Sequence, residues 1–476
     1  MRFTGQILTQ DEQHRVHEMS LRILAEAGVR FHGEKALKIL RENGLKIDSD
    51  DKIARIPAEL VEHALRCAPR SFVLGARNPA YNFSLPAAFT RYGIDGTASF
   101  VMDFYTGERR YGTSTDIENA MRVFQAMDMG VMVWAPTCAM DKPANIRALG
   151  EFFSMAEYSS KHGEHELHQV KQVPYLEEGL IAIMGSEEAL RKSNAYSLIY
   201  CPVAPLTHDG EMLDAYIELG EMGLPVMAMP MPVSGSTGPA SLFSNIAMAN
   251  AEMLSSLVIF QLAHPGRPVI FSSSTGIVDF RSGAYLAGVP EMALQTAALV
   301  EMGKYYGFPT SGAGFTSDAR QPGPEAVIEK LITTLPGVLA GADILIGFGV
   351  IESDQVLVLE QIIVDNEMAH YCQRLAEGVD CSPEKDFFED ILKVGPGGHF
   401  LGMKNTRKAA RSAEFYTPSL VDRHSYEAWV KLGNPSMYGK AREAVEKILS
   451  EPLADSLPEG VCDKLDEILR RAEREI

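Results

Sequence analysis

Carboxylates and aromatic rings recur where short apolar runs give way to turns: Asp95, then Trp134, Tyr200, Phe315, Phe348 and Glu352. Together these two residue types suit a quaternary ammonium group, because rings attract a cation through their π faces and carboxylates add charge. Other polar candidates at the run ends are Thr97, Thr137, Cys201, His208, Ser272, Ser273, Thr275, Ser317 and Asp318. No cluster of Arg and Lys accompanies them, which disfavours a phosphorylated substrate. No Ser-His-Asp or Cys-His order marks acyl transfer either. Taken singly, each residue has an ordinary alternative, since a strand-end ring is commonly core and a loop carboxylate commonly a helix cap.

His162-Gly-Glu-His165-Glu-Leu-His168 draws attention to metal binding. The helical zinc-protease pattern needs two histidines four residues apart, and His165 and His168 fall one short. A spacing of three still allows shared ligation, so a metal site stands as the lesser alternative to a hydrogen-bonded histidine cluster. The small-residue turns at 234–238, 272–276 and 311–315 offer backbone N–H groups to a phosphate. No Lys follows them as in a P-loop, which favours turns that let a large group approach closely.

The elements that must hold these residues repeat along the middle of the chain. Apolar runs near 90–94, 131–136, 159–162, 196–200, 226–230, 269–273, 309–312 and 344–348 alternate with helical patterns at 115–127, 144–157, 175–186, 210–222, 239–264, 290–306, 323–340 and 355–376. Parallel strands need such crossover connections. Eight units predict a closed (β/α)8 barrel, a TIM barrel of the α/β class, over 90–376; the open doubly wound sheet is the rival, and no GxGxxG turn opens the first unit. A mainly helical segment, 1–89, precedes the barrel and a helical segment, 377–476, follows it. The site of such a barrel lies at the C-terminal ends of its strands.

Asp and Glu outnumber Lys and Arg by 63 to 44, a net charge of −19. A surface this acidic disfavours nucleic acid and anionic membrane as partners. The polar N-terminus lacks the apolar stretch of a signal peptide, no uninterrupted apolar run is long enough to span a membrane, and the six cysteines form no CxxC pair. A cytoplasmic protein is the expectation.

Several segments resemble the trimethylamine methyltransferase family. They are Lys393-Val-Gly-Pro-Gly-Gly-His-Phe-Leu-Gly402 with Thr406 and Arg411, the tail Pro418–Arg423 to Trp429, Tyr306–Pro309, Ser317-Asp-Ala319, Ala340–Asp343, Ile363–Glu367 and Ile23–Val29. The resemblance implies a (β/α)8 barrel with added helices that demethylates a methylated amine in partnership with a cobalt-corrinoid (cobalamin-carrying) protein. Founding members carry pyrrolysine in the barrel mouth, whereas this chain reads through Ser317–Glu325 with standard residues, a departure that goes with quaternary amines: glycine betaine, proline betaine, carnitine or γ-butyrobetaine. On that reading Trp134, Tyr200, Phe315 and Phe348 form an ammonium cage with Asp95 and Glu352 beside it. His162, Arg320 and Ser272 or Ser273 would hold a betaine carboxylate. Met229 and Met231 would line the corrinoid-docking surface, and His399 would contact the corrinoid or brace the C-terminal segment. A quaternary amine departs neutral, so no general acid is required and no catalytic side chain or bound metal is assigned. A homo-oligomer is expected. A metal-dependent barrel hydrolase and a non-catalytic betaine-binding protein are the competing readings.

Overall fold

The computed structural model describes residues 3–48, 50–453 and 455–476. Its centre is an eight-stranded parallel sheet: β1 Arg91–Ile94, β2 Gly130–Val133, β3 His162–His165, β4 Tyr196–Tyr200, β5 Val226–Ala228, β6 Val269–Phe271, β7 Ser311–Ala313 and β8 Ile344–Phe348. The hydrogen-bonded order is β6-β5-β4-β3-β2-β1-β8-β7. A parallel bridge between Phe271 and Thr310, with the Phe271 N–H donating to Pro309 O at 2.9 Å, brings the two outer strands together and closes the barrel.

A main helix follows each strand, α1 Ser114–Gln125, α2 Arg147–Tyr158, α3 Val173–Met184, α4 Gly210–Leu219, α5 Leu242–Ala263, α6 Pro290–Tyr305, α7 Pro324–Ala340 and α8 Leu359–Glu377, and a short second helix, Glu187–Ser193, lies between α3 and β4. Their starts are written locally. Thr113 and Asp116 form a capping box ahead of α1, Ser241 caps α5, and Pro290 and Pro324 open α6 and α7, where the missing proline N–H has no helical partner to lose. With 22 residues, α5 is long and apolar enough to cross a membrane, but 89% of its apolar window is buried inside the chain. It packs against the N-terminal helices Gln10–Arg22 and Ala58–Cys67.

Two apolar layers result. The outer one lies between strands and helices; the inner one fills the barrel with Met132, Ile199, Met227, Ile270, Ile344 and Ile346. Leu74 and Leu85, from the antiparallel hairpin Phe72–Leu74 and Phe83–Leu85, join the inner layer and stopper the N-terminal end of the barrel. At the opposite end the connections after β1 and β8 pair with each other in a small sheet, Val350–Ile351, Val356–Leu357, Phe100–Met102 and Arg109–Tyr111.

The third strand departs most from the sequence pattern. Ser159–Lys161 is a buried polar connection rather than strand: Gln125 bonds to Ser159 and Ser160, and Lys161 Nζ donates to the carbonyls of Phe124 (2.9 Å) and Met127 (2.5 Å). β3 therefore starts at His162, where the apolar run had placed its end. That shift moves His162 from the mouth to the stoppered end.

Beyond α8 the chain forms short helices up to Lys431, then the longer Met437–Ser450 and Val461–Glu475. Tyr438 Oη donates to Gln361 at 2.7 Å and Arg442 pairs with Glu360 at 3.1 Å, which fastens Met437–Ser450 to α8. Glu367 of α8 accepts from Tyr416 Oη at 2.9 Å and from the N–H groups of Ser419 and Leu420.

Candidate functional site

Alternation along each strand decides what reaches the barrel interior. On β1, Tyr92 and Ile94 join the outer layer while Gly93 faces Met132 and Ile346 across the interior, so Asp95 continues the inward phase. On β2 the inward phase runs through Met132 to Trp134. A Cβ on Gly96 would stand 1.9 Å from the Trp134 indole, so only glycine lets the chain after β1 pass the ring. Trp134 Nε1 is buried there without a partner.

Asp95 accepts from the Gly96 N–H at 2.8 Å and shares a hydrogen bond with Asp354. Burial pushes Asp95 up to about 6, against the opposing pull of the Gly96 N–H and the Lys330 charge. Burial, then the charge of Asp95, drives Asp354 well above the usual carboxylate range. Two acids this close hold one proton between them and present a single negative charge. Near them stands Tyr285, whose phenol is buried without a hydrogen-bond partner and pushed upward, first by burial and then by the charge of Asp354.

Asp354 reaches this position through a strained turn. Glu352, Ser353 and Asp354, the tip of the hairpin Val350–Ile351 and Val356–Leu357, have φ of 58°, 53° and 65°. Left-handed conformations cost non-glycine residues roughly 1–2 kcal/mol each, so the surroundings must hold them. The Glu352 N–H donates to Ala319 O (3.0 Å), the Ser353 N–H to Ser317 O (2.7 Å), and Ser353 Oγ to Asp318 Oδ1 (2.7 Å). From beneath, buried Lys330 of α7 bonds to Gly347 O (3.1 Å) and Asp365 Oδ2 (3.0 Å), and Asp365 accepts from the Gly349 N–H (2.8 Å). Thr97 is also left-handed, at φ 58°.

The residues singled out from sequence divide sharply. Asp95, Trp134 and Ser272 each follow the inward phase of their strands at the mouth; the Ser272 hydroxyl is buried without a partner, as is that of Ser273, which alternation turns outward. Met229 packs in the inner layer and Met231 is exposed on the rim. Tyr200, Phe315 and Phe348 belong instead to the outer layer, which corrects the proposed cage. Tyr200 Oη bonds to His208 Nδ1 at 2.7 Å, and Phe315, Phe348 and Tyr92 pack together with ring centres 4.8–5.6 Å apart. Glu352 is corrected too: Arg109 pairs with it at 3.0 Å, so it brings no free charge to the mouth. Arg320 is exposed and bonded to Asp318 O, and His399 is exposed in the turn before Lys404–Ala409. His162, at the stoppered end, bonds to Gly75 O and Ser197 Oγ and is not a carboxylate donor at the mouth. The other two histidines diverge from it: His165 points outward to Glu151 at 3.1 Å and His168 lies near Glu166.

Sequence reasoning passed over Asp354, Tyr285 and Glu164. Asp354 stands two residues beyond the acid chosen, in a turn where strand alternation no longer tells direction. Tyr285 sits on a two-stranded hairpin, Ile277–Val278 with Tyr285–Leu286, that reads as loop. Glu164 was in view only as part of a histidine motif.

The sequence matches the family model described as trimethylamine methyltransferase (MTTB) over residues 3–476. The chain belongs to the trimethylamine methyltransferase family. It is thus a methyltransferase of the (β/α)8 type. It is 31% identical over 455 residues to trimethylamine methyltransferase MttB of Methanosarcina thermophila, covering 93% of this chain and 92% of that one. It is 30% identical over 472 residues to the glycine betaine methyltransferase of Desulfitobacterium hafniense strain Y51, covering 99% and 98%. Among solved structures, Methanosarcina barkeri monomethylamine methyltransferase (MtmB) shares the fold, with a TM-score of 0.53 at 11% identity over 100% of this chain and 90% of that one.

Proposed function

We propose that this family member takes a methyl group from a quaternary amine of the betaine type and delivers it to the cobalt of a corrinoid protein, releasing a tertiary amine. The observation that carries the reading is the acid pair Asp95–Asp354 set by the Trp134 indole at the C-terminal end of the barrel strands, opposite the hairpin stopper. A single shared negative charge next to a π face suits a permanent cation. The unpartnered donors Trp134 Nε1 and Ser272 Oγ suit a carboxylate on the same small molecule. The standard residues at Ser317–Glu325 and the similarity to a glycine betaine methyltransferase support a quaternary rather than a tertiary amine.

The corrinoid, carried by its own protein, supplies a strongly nucleophilic metal centre as methyl acceptor. The rim fits a broad flat group: Ser272–Gly276 is small throughout, and Met231 is exposed beside the preceding strand's end. The enzyme's own residues orient the ammonium so that one methyl points outward, and they exclude water from the other two. Positive charge leaves the nitrogen during transfer, so a site that bound the cation too tightly would oppose the reaction. A pair of acids holding one proton supplies a moderate charge rather than two full ones.

The test is methyl transfer to free cob(I)alamin, followed by its absorbance, across glycine betaine, proline betaine, carnitine, γ-butyrobetaine, choline and trimethylamine. Turnover of one or more betaines, with trimethylamine inert, supports the reading. A betaine that binds but is never demethylated would replace it with a binding role.

A further inference from the structure

Inside the barrel, below the mouth, lies a chain of polar groups that the reading above does not use. Met132 pairs with His162 and Val133 with Gly163, so the next residues on these strands, Trp134 and Glu164, come level with each other. His165 points outward to α2, and therefore Glu164 points into the barrel. It is fully buried, with Oε2 2.7 Å from Ser197 Oγ and Oε1 lacking any partner. Ser197 Oγ is in turn 2.8 Å from His162 Nε2, and His162 Nδ1 is 2.8 Å from Gly75 O.

Hydrogen counting gives this chain a direction. A carbonyl only accepts, so His162 Nδ1 carries a proton toward Gly75. Burial pushes His162 down to about 4, so at neutral pH the ring bears that one proton and Nε2 is a bare acceptor. The Ser197 hydroxyl must then donate to Nε2. Having spent its only hydrogen, Ser197 Oγ can meet Glu164 Oε2 at 2.7 Å only as an acceptor, which puts a proton on Oε2. Cys201 and Tyr216, two groups that feel the charge of Glu164, are themselves acids and offer it no counter-ion. Burial independently pushes Glu164 up to about 8.

We infer that Glu164 is held as a neutral carboxylic acid by Ser197 and His162, and that its free Oε1 is a substrate-positioning acceptor beside Trp134, a contact point for the ammonium methyl groups. This rests on the betaine reading and deepens it. A neutral oxygen orients N-methyl hydrogens without adding the full charge that would hold the cation back. It also separates two duties: Asp95 and Asp354 carry the charge, and Glu164 sets direction.

Infrared difference spectra of the wild type against Glu164→Gln, at neutral pH and with glycine betaine as probe, read the protonation state without turnover. The expected result is a protonated-carboxyl stretch absent from the variant and displaced when the probe binds. A carboxylate band in its place, or an acid band indifferent to the probe, overturns the inference. Glutamine keeps both the donor to Ser197 and the inward oxygen, so Glu164→Gln should hold kcat and KM within about threefold, whereas Glu164→Ala should raise KM by about tenfold or more. A hundredfold loss in a folded Glu164→Gln protein would show that charge is needed and would also overturn it. Failure of the wild type to demethylate any betaine would instead remove the function proposed above, while the infrared band still decides the state of Glu164.

Discussion

Asp95 and Asp354 make substrate binding depend on pH in a defined sense. A bound cation favours the ionised pair, so its affinity should rise with pH up to about 6, where Asp95 ionises in the free enzyme, and then level off. Calorimetric titration of a turned-over betaine between pH 5 and 8 checks this; flat affinity below 6 would separate the pair from the ligand. Asp95→Asn, which removes the charge the pair presents, should weaken binding by about 1.5–3 kcal/mol, roughly ten- to a hundredfold, the range for a hydrogen-bonded charge, with little change in melting temperature. Of the proposed cage only Trp134 stands at the mouth, and the reason is physical. β4 reads Tyr-Ser-Leu-Ile-Tyr and is buried on both faces, as parallel strands are, so no polar alternation reveals which residues face inward. Asp95 and Trp134 were legible because each directly follows a strand. Tyr200, Phe315 and Phe348 have the right chemistry on the wrong side of the wall.

At the scale of elements, the turn that delivers Asp354 depends on α7 and α8. Lys330 and Asp365 form an ion pair with both side chains fully buried, and Lys330 is also the cation that pulls against the raised Asp95 and Asp354. Lys330→Met should cost about 3–5 kcal/mol, because Asp365 would be left as a buried uncompensated charge. Urea unfolding measures the loss, and the same variant should bind betaine more weakly. Eight strands and eight helices could be counted from apolar runs and turns, yet β3 was misplaced by three residues. Its sequence, His-Gly-Glu-His, is polar throughout because two of its side chains form a hydrogen-bonded chain inside the barrel, and a hydropathy pattern has no means of finding such a strand.

The molecule as a whole is a barrel followed by a stretch of chain that leaves many apolar side chains exposed. Residues 379–432 expose Val379, Phe388, Leu392, Leu401, Phe415 and Tyr426, and one carboxylate, Glu367, collects Tyr416, Ser419 and Leu420. Glu367→Ala should therefore release this stretch locally at about 1–3 kcal/mol, the cost of orphaned donors. Limited proteolysis should then cut within 379–432 while the barrel's main thermal transition stays in place; a matching fall in that transition would show the stretch to be part of the same cooperative unit. The C-terminal motif was readable as a family mark, but its attachment was not, since the partners are about 50 residues apart in the chain.

The hairpin that closes the lower end of the barrel has a consequence for the order of events in turnover. A barrel stoppered at its lower end imposes a queue at its upper one. On the proposed reaction the amine must enter before the methyl acceptor docks over the mouth, and the demethylated amine must wait until the acceptor has gone. Steady-state rates should follow a compulsory-order scheme with a ternary complex, in which added tertiary amine competes with the betaine and a saturating acceptor slows product escape.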